Sequence, residues 1–298
     1  MNVELSAPQR RLAATVRRSV ERSEPDTDGW EVVDALGITE LLMPEPGARP
    51  ILGQLEWCLI LEELGAGPRD ERVARSVRIA VDVAGSATAT TAADTFRQWA
   101  RSRRCADGAS PDPVARTGTA RSSWQMSAGT AADAEPGPEI VLDVVAARRV
   151  ADRELLATAA YAVGVGRRCL ELAQCRASER VITGRRLIEY QGTSHRLARG
   201  AVDLVLARIG LWTAASGEDH GVPAGHRAAA TVAACVAAAL NCAHAAVQTF
   251  GAAGTHDPAI TRLFRAAYEI PARCGSPRAL WQVAGQRRLV EAGAGNAR

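Results

Sequence analysis

Apolar residues recur at three- and four-residue intervals along most of this chain, broken at a few proline-rich or strongly polar places. Residues 6–23 follow the pattern of an amphipathic helix. Residues 30–42 predict a second, shorter one, ended by Pro44-Glu45-Pro46-Gly47. Residues 52–64 predict a third, closing on Glu62-Glu63-Leu64-Gly65 with Gly65 as its C-cap. A weaker helical pattern runs from about 70 to 100, diluted by Thr and Ser over 86–95.

Residues 105–140 read differently. Gly, Ser, Pro, Thr and Asp dominate, and only fragments such as 139–145 suit a strand, so this segment predicts a few short strands or a linker and no large sheet. Long helices return from Asp152, where Asp152 itself is expected to act as N-cap. Leu156, Ala159, Val163, Leu170 and Ala173 mark one apolar face, and Leu197, Ala201, Leu204, Val205 and Trp212 another. Residues 228–247 are almost all small and apolar, as in a central helix packed on every side. Segments 258–270 and 277–291 each open with proline at a helix start. Short connections between four to five such helices predict an antiparallel bundle. Three regions follow: a helical 1–104, a reduced β segment or linker over 105–150, and a helical 151–298.

Composition narrows the function. The balance of 36 basic to 33 acidic residues gives no nucleic-acid footprint. Every basic residue is arginine, which excludes Schiff-base catalysis and a P-loop lysine in this chain. No apolar run is expected to reach the roughly 18 residues of a spanning helix, and the N-terminus is charged rather than signal-like. The seven cysteines are scattered without a CxxC pair, so neither metal binding nor a disulfide framework is expected, and a reducing, cytoplasmic location is. The five histidines show no metal-ligand spacing.

Several short motifs, in order, carry a resemblance. Trp30 through Gly37, Pro44-Glu45 and Glu62-Glu63-Leu64-Gly65 come first. Arg180-Val181-Ile182-Thr183-Gly184, Gln191, Gln248 through Gly254, and Arg265-Ala266-Ala267 follow. Together they resemble the acyl-CoA dehydrogenase family over roughly two thirds of the chain. The resemblance implies a mainly α fold: an N-terminal helical domain, a middle β-domain (here much reduced) and a C-terminal antiparallel four-helix bundle. It implies FAD and an acyl-CoA thioester, with a carboxylate removing the α-proton while hydride leaves the β-carbon for the flavin. It also implies that Arg180, Gln248, Gly251 and Gly254 reach a neighbouring subunit's FAD, with Gln191 and Ser276 as further cofactor contacts. Arginine suits this task as a permanently charged forked donor, and glycine lets backbone approach a phosphate.

The departures from the pattern matter as much. The middle domain is cut down to 105–150, with Trp124 as its one tryptophan, either a flavin-stacking ring or an ordinary packing residue. The turn that carries the family's usual base falls on Arg273-Cys274-Gly275-Ser276, and Cys274 is no isostere of glutamate. Some relatives place the glutamate ten residues ahead of the helix glycine, here Gly164, which selects Glu154. Glu154 equally suits the first turn of a helix capped by Asp152. Arg180 has its own plainer reading, a surface salt bridge with Glu179 or a nearby helix. Three functions therefore stand: a subunit lending an FAD half-site to a hetero- or homo-oligomeric dehydrogenase, with steroid-derived acyl chains as one substrate class; a self-sufficient dehydrogenase with Glu154 as base; or a flavin-free helical protein that binds acyl thioesters or serves structure.

Overall fold

A computed structural model describes residues 4–24, 27–38, 41, 51–69, 114–118, 121–128 and 135–295. The chain divides into two compact units, one of Met1–Asp26, Gln54–Arg69 and Leu155–Arg298, the other of Thr27–Gly53 and Asp70–Glu154. The architecture is mainly helical, with a small antiparallel sheet and a C-terminal helical bundle.

The larger unit begins with α1 (Ala7–Arg22), whose start is a capping box: Gln9 N–H donates to Ser6 Oγ and Gln9 Oε1 accepts from the Ser6 N–H. Helix α2 (Gly29–Ala35) belongs to the other unit, shorter than the expected 30–42, part of which lies outside the described residues. Helix α3 (Gln54–Ala66) is buried along nearly its whole length from Trp57 to Gly65. Gly65 is not its C-cap. A Cβ there would stand 2.3 Å from the Tyr161 carbonyl oxygen, and one on Gly164 would stand 2.0 Å from the Glu62 carbonyl oxygen. One glycine on each helix lets the backbones of α3 and of the long helix α4 (Val144–Glu179) touch, and packing at that distance admits no methyl group.

In the smaller unit, β1 (Val114–Gly118), β2 (Arg121–Ala128) and β3 (Glu135–Asp143) form one antiparallel sheet in the order β1-β2-β3. Trp124 lies on the central strand, opposite Ala115 and Ile140. The strand foreseen over 139–145 starts earlier and stops at Asp143, where the chain passes directly into α4 (Val144–Glu179). Asp152 is therefore not the N-cap of this helix. It lies two turns inside α4 and is 2% exposed.

The bundle is completed by α5 (Gln191–Asp219), α6 (His226–Phe250), α7 (Pro258–Cys274) and α8 (Pro277–Gly295), joined by short turns. Helix α7 runs through Pro271 for one more turn than proline alone suggested. Helix α6 contacts α5, α7 and α8, and Ala239 on it meets Gly166 of α4. Its alanines explain the arrangement, because small side chains let several neighbours approach one helix. The stretch His226–Thr255 is long and apolar enough to cross a membrane, contrary to the expectation that no run would be, and most of it is buried inside the bundle.

Candidate functional site

Between α4 and α5 the chain makes a two-residue hairpin, β4 (Val181–Ile182) against β5 (Arg185–Arg186), with Thr183 and Gly184 at φ 48° and 79°. Positive φ at both positions is what a type I′ turn requires. It is uncommon for a β-branched residue, and local bonds hold Thr183 there. Tyr190, immediately before α5, donates its hydroxyl to the Ile182 carbonyl at 2.7 Å and lies 2.7 Å from Thr183 Oγ1, which itself donates to Ile182 O at 2.8 Å. The Arg185 guanidinium stacks over the Tyr190 ring at 5.3 Å. The hairpin is exposed and still well anchored.

Arg180 stands at the base of this hairpin, and its Nη1 donates to the Phe250 carbonyl at 3.2 Å. A Cβ on the next residue, Gly251, would lie 3.6 Å from that same nitrogen. Gly251 has φ 65°, a conformation costly for any other residue but open to glycine. The Arg176 guanidinium sits over the Phe250 ring at 5.7 Å and pins the turn from a second side. Thus residues 70 positions apart in sequence, Arg180 and the end of α6, form one surface, with Gln248 exposed on the last turn of that helix. No carboxylate pairs with Arg180 among the described residues. Glu179, the expected rival partner, instead accepts from the Cys175 thiol at 3.3 Å. Arg180 commits one of its five N–H donors, leaving four for a ligand.

The other predicted positions separate. Gly254 is buried, and a Cβ there would press on Phe250 Cβ at 2.9 Å, so it serves the packing of the turn. Gln191 is exposed at the first position of α5. Ser276 Oγ accepts from the Ala279 N–H at 3.3 Å and so occupies the start of α8. No hydrogen bond ties Gln191 or Ser276 to the Arg180 cluster among the described residues. Cys274 ends α7 half-buried, its thiol turned back toward the Ile270 carbonyl at 3.4 Å. Gly275 follows at φ 97°. Glu154 is partly exposed on α4, three turns in rather than in the first turn, which removes the capping explanation for it. Trp124 has a place in the sheet and no further assignment.

Two carboxylates escaped the sequence reading. Glu62 is buried and accepts from Arg208 Nε at 2.8 Å and from Trp212 Nε1 at 2.7 Å, with the guanidinium stacked 4.4 Å over the indole. Burial pushes the Glu62 carboxyl up, and Arg208 and Trp212 oppose that shift. Glu63 is buried beside it and takes a bidentate Arg17 at 2.9 and 3.0 Å and Arg167 at 2.6 Å. The signal was present: two adjacent acids inside an otherwise apolar helix must both face packed surfaces. These pairs join α3 to α1, α4 and α5. The buried Cys169 and Cys242 belong to the packing too, with burial pushing both thiols up to about 12.

The family profile described as acyl-CoA dehydrogenase, C-terminal domain, matches residues 144–271. A search of curated protein sequences finds no significant match. Among solved structures, butyryl-CoA dehydrogenase from Megasphaera elsdenii is similar at 18% identity and TM-score 0.72, covering 97% of this chain and 100% of its own. A variant of the Tcur3481–Tcur3483 steroid ACAD gives 19% identity and TM-score 0.73 over 96% and 99%. The ChsE4–ChsE5 complex from Mycobacterium tuberculosis gives 19% and 0.69 over 96% and 98%. At such identities the likeness of structures speaks for the fold, and the profile speaks for the bundle. Residues 144–271 belong to the acyl-CoA dehydrogenase C-terminal domain family, and the chain carries the acyl-CoA dehydrogenase-like fold.

Proposed function

We propose that this chain is a subunit of a heteromeric, FAD-dependent acyl-CoA dehydrogenase, acting in the cytoplasm, and that it lends an FAD half-site to a partner chain. The observation that carries this reading is the junction of Arg180 with the Phe250–Gly251 turn. A guanidinium with four uncommitted donors beside a side-chain-free, positive-φ backbone suits a diphosphate, which takes forked charge-assisted bonds. The similarity to one two-protein complex and to a steroid ACAD pair supports an oligomeric role and a steroid-derived acyl-CoA substrate. When bound, the flavin supplies the hydride acceptor for oxidation of the acyl thioester. This chain's own contribution is to hold the phosphates through Arg180, with Gln248 as a neutral hydrogen-bonding neighbour. Its second turn does not suit a general base. Cys274 faces its own helix, and Ser276 caps the next one. On this reading the proton is abstracted by the partner's residues rather than by this chain's second turn.

The test is co-expression with a full-length acyl-CoA dehydrogenase-like chain of the same genome, reading flavin per complex from its visible absorbance. Arg180→Ala should lower retained flavin by about tenfold, the worth of a charge-assisted pair, while the complex still assembles. Failure of the two chains to co-purify, with unchanged flavin, would sink the proposal. The self-sufficient reading gains from the loss of the capping explanation for Glu154. It requires that the chain purified alone be yellow and that Glu154→Gln abolish dye reduction by acyl-CoA.

A further inference from the structure

One aromatic group lies outside the packing of the bundle. Helix α7 buries Ile260, Leu263, Ala267 and Ile270, and Phe264 and Tyr268 stand beside that face rather than in it. His244 of α6 joins them. The Phe264 and Tyr268 rings are 4.5 Å apart and inclined at 31°, and His244 stacks on Tyr268 at 5.6 Å and 26°. A hydrogen bond joins His244 Nε2 to the Tyr268 hydroxyl. His244 is exposed and Tyr268 is 45% exposed, which leaves ring surface open. An ordered stack of three rings with an open face is a platform for a further planar ring.

The surroundings of the stack select the ring. Gln248 follows His244 by one turn on the same side of α6 and is likewise exposed. Its side-chain amide has no partner among the described residues and offers donors beside an acceptor. Adenine presents the complement, an N6 donor next to the N7 acceptor, where guanine presents two acceptors. From His244 to Phe250 the helix rises about 9 Å. Phosphates attached to a ring on the platform therefore come down at the Phe250–Gly251 turn, where Arg180 keeps uncommitted donors. Arg265, within one turn of Tyr268 on α7, is also exposed and unpaired among the described residues, and the nearby Glu269 is engaged by Arg273.

We propose that His244, Phe264 and Tyr268 form the adenine platform of a site for an adenosine 5′-diphosphate unit, with Gln248 reading the purine edge and Arg180 taking the phosphates. The proposal rests on the half-site reading for the role of Arg180, whereas the ring stack and the free amide stand without it. FAD and an acyl-CoA thioester both carry this unit, and the chemistry that recognises it is the same for either.

Calorimetric titration of the purified full-length chain with ADP provides the test. ADP should bind saturably, GDP about tenfold more weakly, and FMN, which has no adenine, not at all. Tyr268→Ala should weaken ADP by about tenfold or more, the usual cost of a lost stacking ring, and Tyr268→Phe should not. Gln248→Ala should bring ADP and GDP to the same affinity, a change that misfolding does not imitate. Competition then assigns the source: displacement of ADP by FAD marks the flavin cofactor, and displacement by CoA marks the thioester. No binding of ADP, binding indifferent to Tyr268→Ala, FMN bound as tightly as ADP, or displacement by neither FAD nor CoA overturns the inference. If ADP fails to bind while Arg180→Ala still strips flavin from the complex, the half-site stands and the platform falls. If ADP binds through Tyr268 and no partner chain co-purifies, the platform stands and the half-site falls.

Discussion

At the crossing of α3 and α4, Gly65 and Gly164 let two helix backbones meet, and Glu62 spends both carboxylate oxygens on Arg208 and Trp212. At the end of α6, Gly251 and Arg180 combine the same residue types with the opposite consequence. There the glycine is exposed in a positive-φ turn, and the arginine keeps most of its donors. Burial is the difference. In the first place a low dielectric and close packing make every polar group answer to a fixed partner. In the second, the turn is exposed and one backbone carbonyl is the guanidinium's hydrogen-bond partner. Arginine and glycine thus serve packing in one region and, on the proposed function, a ligand surface in the other.

The contrast can be broken most forcefully at the buried pair. Arg208→Met should cost about 4 kcal/mol in chemical denaturation, because it strands the Glu62 charge in the core. Replacing both partners, with Glu62→Leu added, should recover most of that loss. The single variant should also show a steeper pH dependence than the wild type, because Arg208 opposes the rise that burial imposes on Glu62. A carboxyl held above its ordinary value in the folded state contributes stability that is present at low pH and lost as pH rises through that folded value. Denaturation midpoints of Arg208→Met should accordingly fall as pH climbs above about 4.3, the ordinary glutamate value. A variant as stable as wild type at pH 7 would show that Glu62 is not locked.

Gly164→Ala comes next, at about 2 to 3 kcal/mol, since its methyl group meets a backbone carbonyl rather than a movable side chain. An unchanged melting profile would mean that the two helices are not in backbone contact. The smallest effect belongs to the other region. Arg180→Ala should lower stability by less than about 1 kcal/mol, the worth of one part-exposed hydrogen bond, while it costs the flavin retention described above. If Arg180→Ala unfolds the chain instead, the two regions are alike and the ligand-surface reading loses its basis.

Much of this was legible along the chain. The helix periods, the polar 105–140 stretch and the prolines opening α7 and α8 each depend on residues close together in sequence. The errors came where distant residues decide. Gly65 looks like a helix end in sequence, since a glycine after a long apolar run usually is one. Only the approach of Tyr161 shows that the helix continues and that the glycine is a contact surface. Asp152 had the composition of a cap, but β3 hands the chain into a helix eight residues earlier. Glu62 and Glu63 were noted as a motif, and their role needed Arg208, Trp212, Arg17 and Arg167, drawn from three other helices.

The sequence by itself determined the helical class, the reduced sheet and the residue types that make Arg180 and Gly251 candidates, because periodicity, turn chemistry and charge are local properties. Tertiary structure decided which of these residues meet. It joined Arg180 to a turn 70 positions away, turned Cys274 back onto its own helix, and left Val202, Val205, Leu206 and Ile209 of α5 exposed. Contacts between distant segments arise from packing the whole core at once, and a single chain of letters does not rank the alternatives.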